Sequence, residues 1–326
     1  MEKQSYFGID WSRAIACICI ALMHIRANSN YEITGFIYNR IIPSFSDFVY
    51  LFMAISAFVM CLGYCDKVLS GKMDWALFYK KRYIRILPFF AILVLVDVIY
   101  NFDMPSVLEG LTELTLLHGF VPQKLSVFGV GWYLGIVFIF YISFPFFCVL
   151  IQTKKRAWIS LAISIVLHYI SFLYFGLDRH NFLYSLCYFL EGGIIYLYRD
   201  ELKSIKKWIY LIIIACLLVP YFGINTYGTI LFFLVFAVLS FSISIKGGYN
   251  QIIAFVSGIS MEFYLSHMVI FRVVEKLHLN TICENGCLQY VITSLLVVAG
   301  TICFSFIIKL LTVKIEKWII NQRKVL

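Results

Sequence analysis

Charge is what this chain has least of. Asp, Glu, Lys and Arg make up 14% of its 326 residues, while 62% are hydrophobic. Soluble globular proteins run near 25% charged, so this polar complement is too small to coat a soluble core. Length excludes a small secreted disulfide scaffold. Low charge together with 31 Phe, 22 Tyr and 6 Trp excludes disorder. There is no internal repeat, no low-complexity tract and no polar stretch long enough for a soluble domain. No cleavable signal peptide is expected, because the first apolar run carries Asp10 and Arg13 and no small-residue cleavage site follows it. The expectation is one polytopic membrane domain over residues 1–326.

What is abundant is long apolar runs. About 20 apolar residues cross a bilayer as a helix. Such runs fall at 9–25, 45–64, 86–101, 130–151, 157–175, 182–198, 208–223, 228–245, 251–271 and 288–310. They are continuous rather than alternating, which excludes a β-barrel. The predicted fold is therefore all-α, a bundle of about ten transmembrane helices. Residues 102–129 are long for a loop and partly apolar, which points to an interfacial or re-entrant helix.

Acids are outnumbered, 18 Asp+Glu against 27 Lys+Arg, for a net charge of +9. In a soluble protein that excess points to nucleic acid. In a membrane protein it marks the cytoplasmic loops, and no nucleic-acid partner is expected. With ten spans, one side holds twenty of the basic residues, including Lys3, Lys80, Lys81, Arg82, Arg85, Lys309 and Lys324. The other side holds Arg26, Arg40, Lys124, Arg179, Arg272 and Lys276. That asymmetry predicts both termini in the cytoplasm, and the protein is expected to be multi-pass in the plasma membrane, which is the inner membrane if the cell is Gram-negative.

Most of the cysteines fall inside apolar runs, where Cys acts as a small hydrophobe. Cys283 and Cys287 lie in the last outer loop, and either a bridge or two free thiols fits them. No second ligand pair accompanies them, so no metal is expected.

Ionisable groups at membrane depth usually pair or line a cavity. Here they are Asp10, Arg13, His24, Asp97, Glu191, Glu262 and His267. Asp97 and Glu191 receive no role. Arg13 and His24 are eleven residues apart, about three turns and roughly 16 Å of rise, and point roughly one way. One reading puts a cation and a proton acceptor at two ends of a tunnel. The other lets Arg13 snorkel to the headgroups while His24 caps the helix. Arg82 and Arg85 are one turn apart at the cytoplasmic mouth of the third span. They suit phosphate oxygens, or serve as an anchor for anionic membrane lipid.

Five stretches give these residues a family context. They are Ile9-Asp10-Trp11-Ser12-Arg13 with His24; Leu51-Phe52-Met53-Ala54-Ile55-Ser56-Ala57-Phe58; Arg82-Tyr83-Ile84-Arg85 with Pro88; Trp132-Tyr133-Leu134; and Ser260-Met261-Glu262-Phe263-Tyr264-Leu265-Ser266-His267. In that order, on ten spans, they resemble the acyltransferase 3 family of integral-membrane acyltransferases, in its stand-alone form. Ala57 stands where the family usually has Gly.

The resemblance implies an O-acyltransferase, with acetyl-CoA as acyl donor and co-substrate. The implied acceptor is a hydroxyl of a surface glycan or lipid-linked sugar. His24 is then the catalytic base, and Arg13, also a catalytic residue, steers CoA or fixes a carboxylate near the tunnel mouth. Arg82 and Arg85 bind the CoA phosphates. Asp10, Ser56, Trp132, Glu262, Tyr264 and His267 are supporting residues. Tyr31, Tyr38 and His118 in the outer loops are either sugar contacts or interfacial anchors. The competing reading is a multi-span transporter of a small metabolite or acyl donor with no chemistry of its own.

Overall fold

A computed structural model describes residues 6–120, 127–223, 227–245 and 247–321. Lys3, Lys124, Lys246, Arg323 and Lys324, all part of the charge argument, lie outside the described residues. Among the described residues there are helices and connections but no strand. The helices are α1 (Phe7–Ala27), α2 (Ile37–Leu69, with a π turn in each half), α3 (Trp75–Asn101), α4 (Met104–Leu114) and α5 (Trp132–Leu150). They continue with α6 (Lys154–Phe175), α7 (Phe182–Leu197), α8 (Lys207–Gly223), α9 (Tyr227–Ser244), α10 (Gln251–Gly258), α11 (Ser260–Lys276) and α12 (Gly286–Asn321).

Each of the ten predicted runs falls on helix. Among the described residues six helices, α1, α2, α3, α5, α6 and α12, are long and apolar enough to cross a membrane; counting the bent pair α10 and α11 as one span gives seven. The apolar parts of α7, α8 and α9 are shorter. The third run begins earlier than its hydropathy suggested. Asp74 caps α3, its side chain accepting from the Leu77 N–H at 2.9 Å, so Arg82 and Arg85 lie within one continuous helix. The polar stretch after it contains α4, capped in the same way by Asp103.

The chain forms two compact units, interleaved in sequence. The first comprises Met1–Ala16, Ser46–Met73 and Ile142–Gly258; the second comprises Cys17–Phe45, Asp74–Tyr141 and Ile259–Leu326. The first unit is built around α7, which packs against α2, α6 and α9. Every residue from Cys187 to Tyr196 is buried as a result. Gly192 makes this possible: a Cβ there would stand 2.1 Å from the Ala54 carbonyl oxygen, so the two backbones touch.

In the second unit α12 packs against α11 and α3. The α11 and α12 faces run antiparallel, in steps of four residues on α11 and of four and then five on α12. Glu262 faces Lys309 at 3.7 Å, and the Ser266 hydroxyl meets that of Ser305 at 3.0 Å. Gly300 then leaves room for Ile270, whose Cγ2 would be 2.9 Å from an added Cβ. Ridges four residues apart are the usual rows by which helices interlock. Leu95 and Ile99 on α3, and Leu295 and Ile307 on α12, point outward and exposed. Such a surface suits lipid, not water.

Candidate active site

The second unit brings together residues from α1, α3, α5, α11 and α12. At its heart two imidazoles face each other. The His24 and His267 ring centroids are 5.1 Å apart, with the planes tilted by 46°. His267 has no exposed surface, and neither of its ring nitrogens finds a hydrogen-bond partner. Tyr264, one turn earlier on α11, lies 6.0 Å from His267 by ring centroids, and Tyr133 of α5 stands edge-on to Tyr264 at 5.3 Å. Trp132 is buried next to Tyr133. The end of α1 is held from outside the pair. The Tyr290 hydroxyl donates to the Leu22 carbonyl at 3.0 Å, and Asn28 Nδ2 to the His24 carbonyl at 2.9 Å.

A charged cluster lies five residues back along α11. Glu262 is 2% exposed, and its Oε1 meets Arg85 Nη2 at 3.1 Å and Lys309 Nζ at 3.7 Å. Three helices thus converge on one carboxylate. Oε2 of Glu262 has no hydrogen-bond partner. Arg82, one turn before Arg85, lies over the rings of Phe78 and Tyr141, 5.3 Å from each centroid. The two arginines therefore engage different partners.

Three expected site residues fall in the first unit. Asp10 accepts from the Ser257 hydroxyl at 2.7 Å, Arg13 follows Ser12, whose hydroxyl meets that of Ser242 at 2.6 Å, and Ser56 is half-buried on α2. That unit also holds an open apolar cleft of about 80 Å³, lined by Ile165, His168, Tyr169, Tyr188, Thr229 and Phe232 among others. Ligand sites for drug-sized molecules run to about 300–1,000 Å³, so a nucleotide does not fit there. Glu191 is fully buried on α7, and neither carboxyl oxygen has a hydrogen-bond partner.

Tyr31, Tyr38 and His118 are packed rather than presented. Tyr31 bonds to the Asn280 carbonyl and to Thr293, and Tyr38 is buried against Tyr290 and Arg26. His118 is buried with Nε2 3.3 Å from the Gly131 carbonyl, and burial pushes its imidazole below the usual histidine range. Cys283 and Cys287 are free thiols. Among the described residues no cluster of three or more His, Cys, Asp or Glu has a metal-binding arrangement.

Lys309 is the site residue that sequence reasoning missed, having counted it only as a tail charge. The signal was Glu262 itself, a carboxylate at membrane depth that needs cations beyond its own helix.

With this geometry in place, the comparisons with known proteins bear on it. The family model for the acyltransferase 3 domain, described as an acyltransferase domain, matches residues 6–310. The chain belongs to that family. No curated protein and no solved structure matches it. The matched residues include parts of both units and every residue of the two clusters, Lys309 among them. The protein is thus a multi-pass membrane acyltransferase.

Proposed function

We propose that this acyltransferase moves an acetyl group from cytoplasmic acetyl-CoA to a hydroxyl of a cell-surface glycan, with His24 as general base. The observation that carries the reading is the route along α11. Glu262 binds Arg85, and His267 packs on His24, so one helix ties both predicted motifs into one site. Five residues of helix separate the two contacts by about 7.5 Å. The charged end suits an anionic donor, and the imidazole end suits proton transfer near neutral pH.

The acceptor hydroxyl gives its proton to His24 as its oxygen attacks the thioester carbonyl. The C–O bond forms, the C–S bond breaks, and the proton passes to the departing CoA thiolate. Arg82 and Arg85 hold the donor, and His267 and Tyr264 fix the His24 ring. Ten spans with both termini in the cytoplasm, in the plasma membrane, put the donor side inside and the glycan outside.

Radiolabelled acetyl-CoA, offered to the purified protein in lipid with surface glycan as acceptor, tests the reading. Wild type should release CoA and label the glycan. His24→Ala should do neither while keeping a monodisperse elution profile. Near-normal turnover in His24→Ala removes the general-base assignment. CoA passage without acetyl transfer supports a carrier instead.

A further inference from the structure

Glu262 has one oxygen that the reaction above leaves unused. Oε1 is shared between Arg85 and Lys309, while Oε2 is buried with no hydrogen-bond partner. A carboxylate accepts at about four lone-pair sites and donates at none when ionised. Two cations stand beside this one. A buried acceptor left empty is destabilising, so Oε2 calls for a donor that arrives with the substrate.

Building on the acetyl-CoA reading, we infer that Glu262 Oε2 receives the amide N–H next to the thioester in the pantetheine arm of the donor. Phosphates and the thioester carbonyl only accept, so neither can bond a carboxylate. The arm's two amide N–H groups and its hydroxyl can, and the hydroxyl lies farther from the thioester than either amide. Distance selects between its two amides. The nearer amide nitrogen is four bonds from the thioester carbonyl carbon, roughly 5 Å when extended, and the second amide is roughly twice as far. Glu262 and His267 are about 7.5 Å apart along α11. With about 3 Å more for the N–H···O bond, the nearer amide spans roughly 8 Å and the second roughly 13 Å, so the nearer one reaches Oε2 while the thioester lies at the imidazole pair.

Exposure follows the same line. The Arg85 side chain is 38% exposed, that of Lys309 22% and that of Glu262 2%, while His267 is fully buried. The arm enters past the two cations and meets the carboxylate before the imidazoles. Arg85 then acts through Glu262 as well as on the donor's charge.

Two truncated donors test this on the purified full-length protein. S-acetyl-N-acetylcysteamine carries the thioester and the nearer amide. S-(4-oxopentyl) thioacetate replaces that N–H by CH2 and is otherwise the same length. Wild type should prefer the amide donor by about tenfold or more in kcat/KM, the size of a charge-assisted hydrogen bond. Glu262→Met should bring the ratio near one, and Glu262→Gln should leave it in between. The ratio is internal to each variant, so a loss of folded protein does not move it. Equal use of both donors by wild type overturns the inference, as does an unchanged ratio in Glu262→Met. If wild type also fails with acetyl-CoA, the proposed function falls and takes the inference with it. Turnover of acetyl-CoA with no amide preference removes the inference alone.

Discussion

Replacing Arg85 by Met should cost more stability than its exposure suggests, and replacing Glu262 as well should add little to the loss. At 3.1 Å the Arg85–Glu262 attraction is about 5 kcal/mol at an effective dielectric of about 20. Desolvation of a buried carboxylate consumes most of this. The guanidinium is 38% exposed, which screens the rest. Removing one partner of a fully buried pair costs about 3–5 kcal/mol. Lys309 remains at 3.7 Å and half-compensates the charge, so about 1–3 kcal/mol is expected for Arg85→Met. Glu262→Gln leaves two cations that can turn toward water, and should cost about 1–2 kcal/mol. The double variant should then lose about 1–3 kcal/mol less than the sum of the singles. Equilibrium unfolding of the four proteins in mixed micelles reads this cycle. Additivity within about 0.5 kcal/mol refutes the ion pair, and with it the route along α11.

Other consequences are independent of that cluster. Gly192→Ala puts a Cβ against the Ala54 carbonyl and should lose about 1–3 kcal/mol. Gly63→Ala, in open space on α2, should be neutral or gain up to about 1 kcal/mol in the same unfolding assay. His118 favours its neutral form when folded. Its contribution is therefore complete above the unfolded pKa of about 6.5 and is lost as pH falls from there toward the lowered folded value. Melting temperatures between pH 7 and pH 5 should fall less in His118→Gln than in wild type; equal slopes exclude His118 as the cause. Cysteine labelling placed after Lys81 and after Lys324 should be blocked from outside intact cells, and external labelling of either breaks the charge argument for topology.

The sequence made the helices legible because hydropathy is local. Each apolar run is helix, and the caps at Asp74 and Asp103 show why α3 and α4 begin where they do. Hydropathy alone put the start of the third run at residue 86, because Lys80, Lys81, Arg82 and Arg85 dilute the preceding turns. Those residues are helical all the same, since a cap, not an apolar run, sets where the helix starts. The site was legible only in pieces. Arg13 and His24 share α1, and Arg82 and Arg85 share a turn, so spacing along one helix relates each pair. What spacing cannot give is the partner on another helix. His24 meets His267 across 243 residues of sequence, by subtraction of their numbers, and Arg85 meets Glu262 across 177. The four-residue steps that bring Lys309 to Glu262 and Ser305 to Ser266 are set by side-chain volume where α11 and α12 touch. A carboxylate placed at that depth can stay only where cations from other helices reach it. Glu262 therefore joins the helix that carries His267 to the two helices that carry the cations.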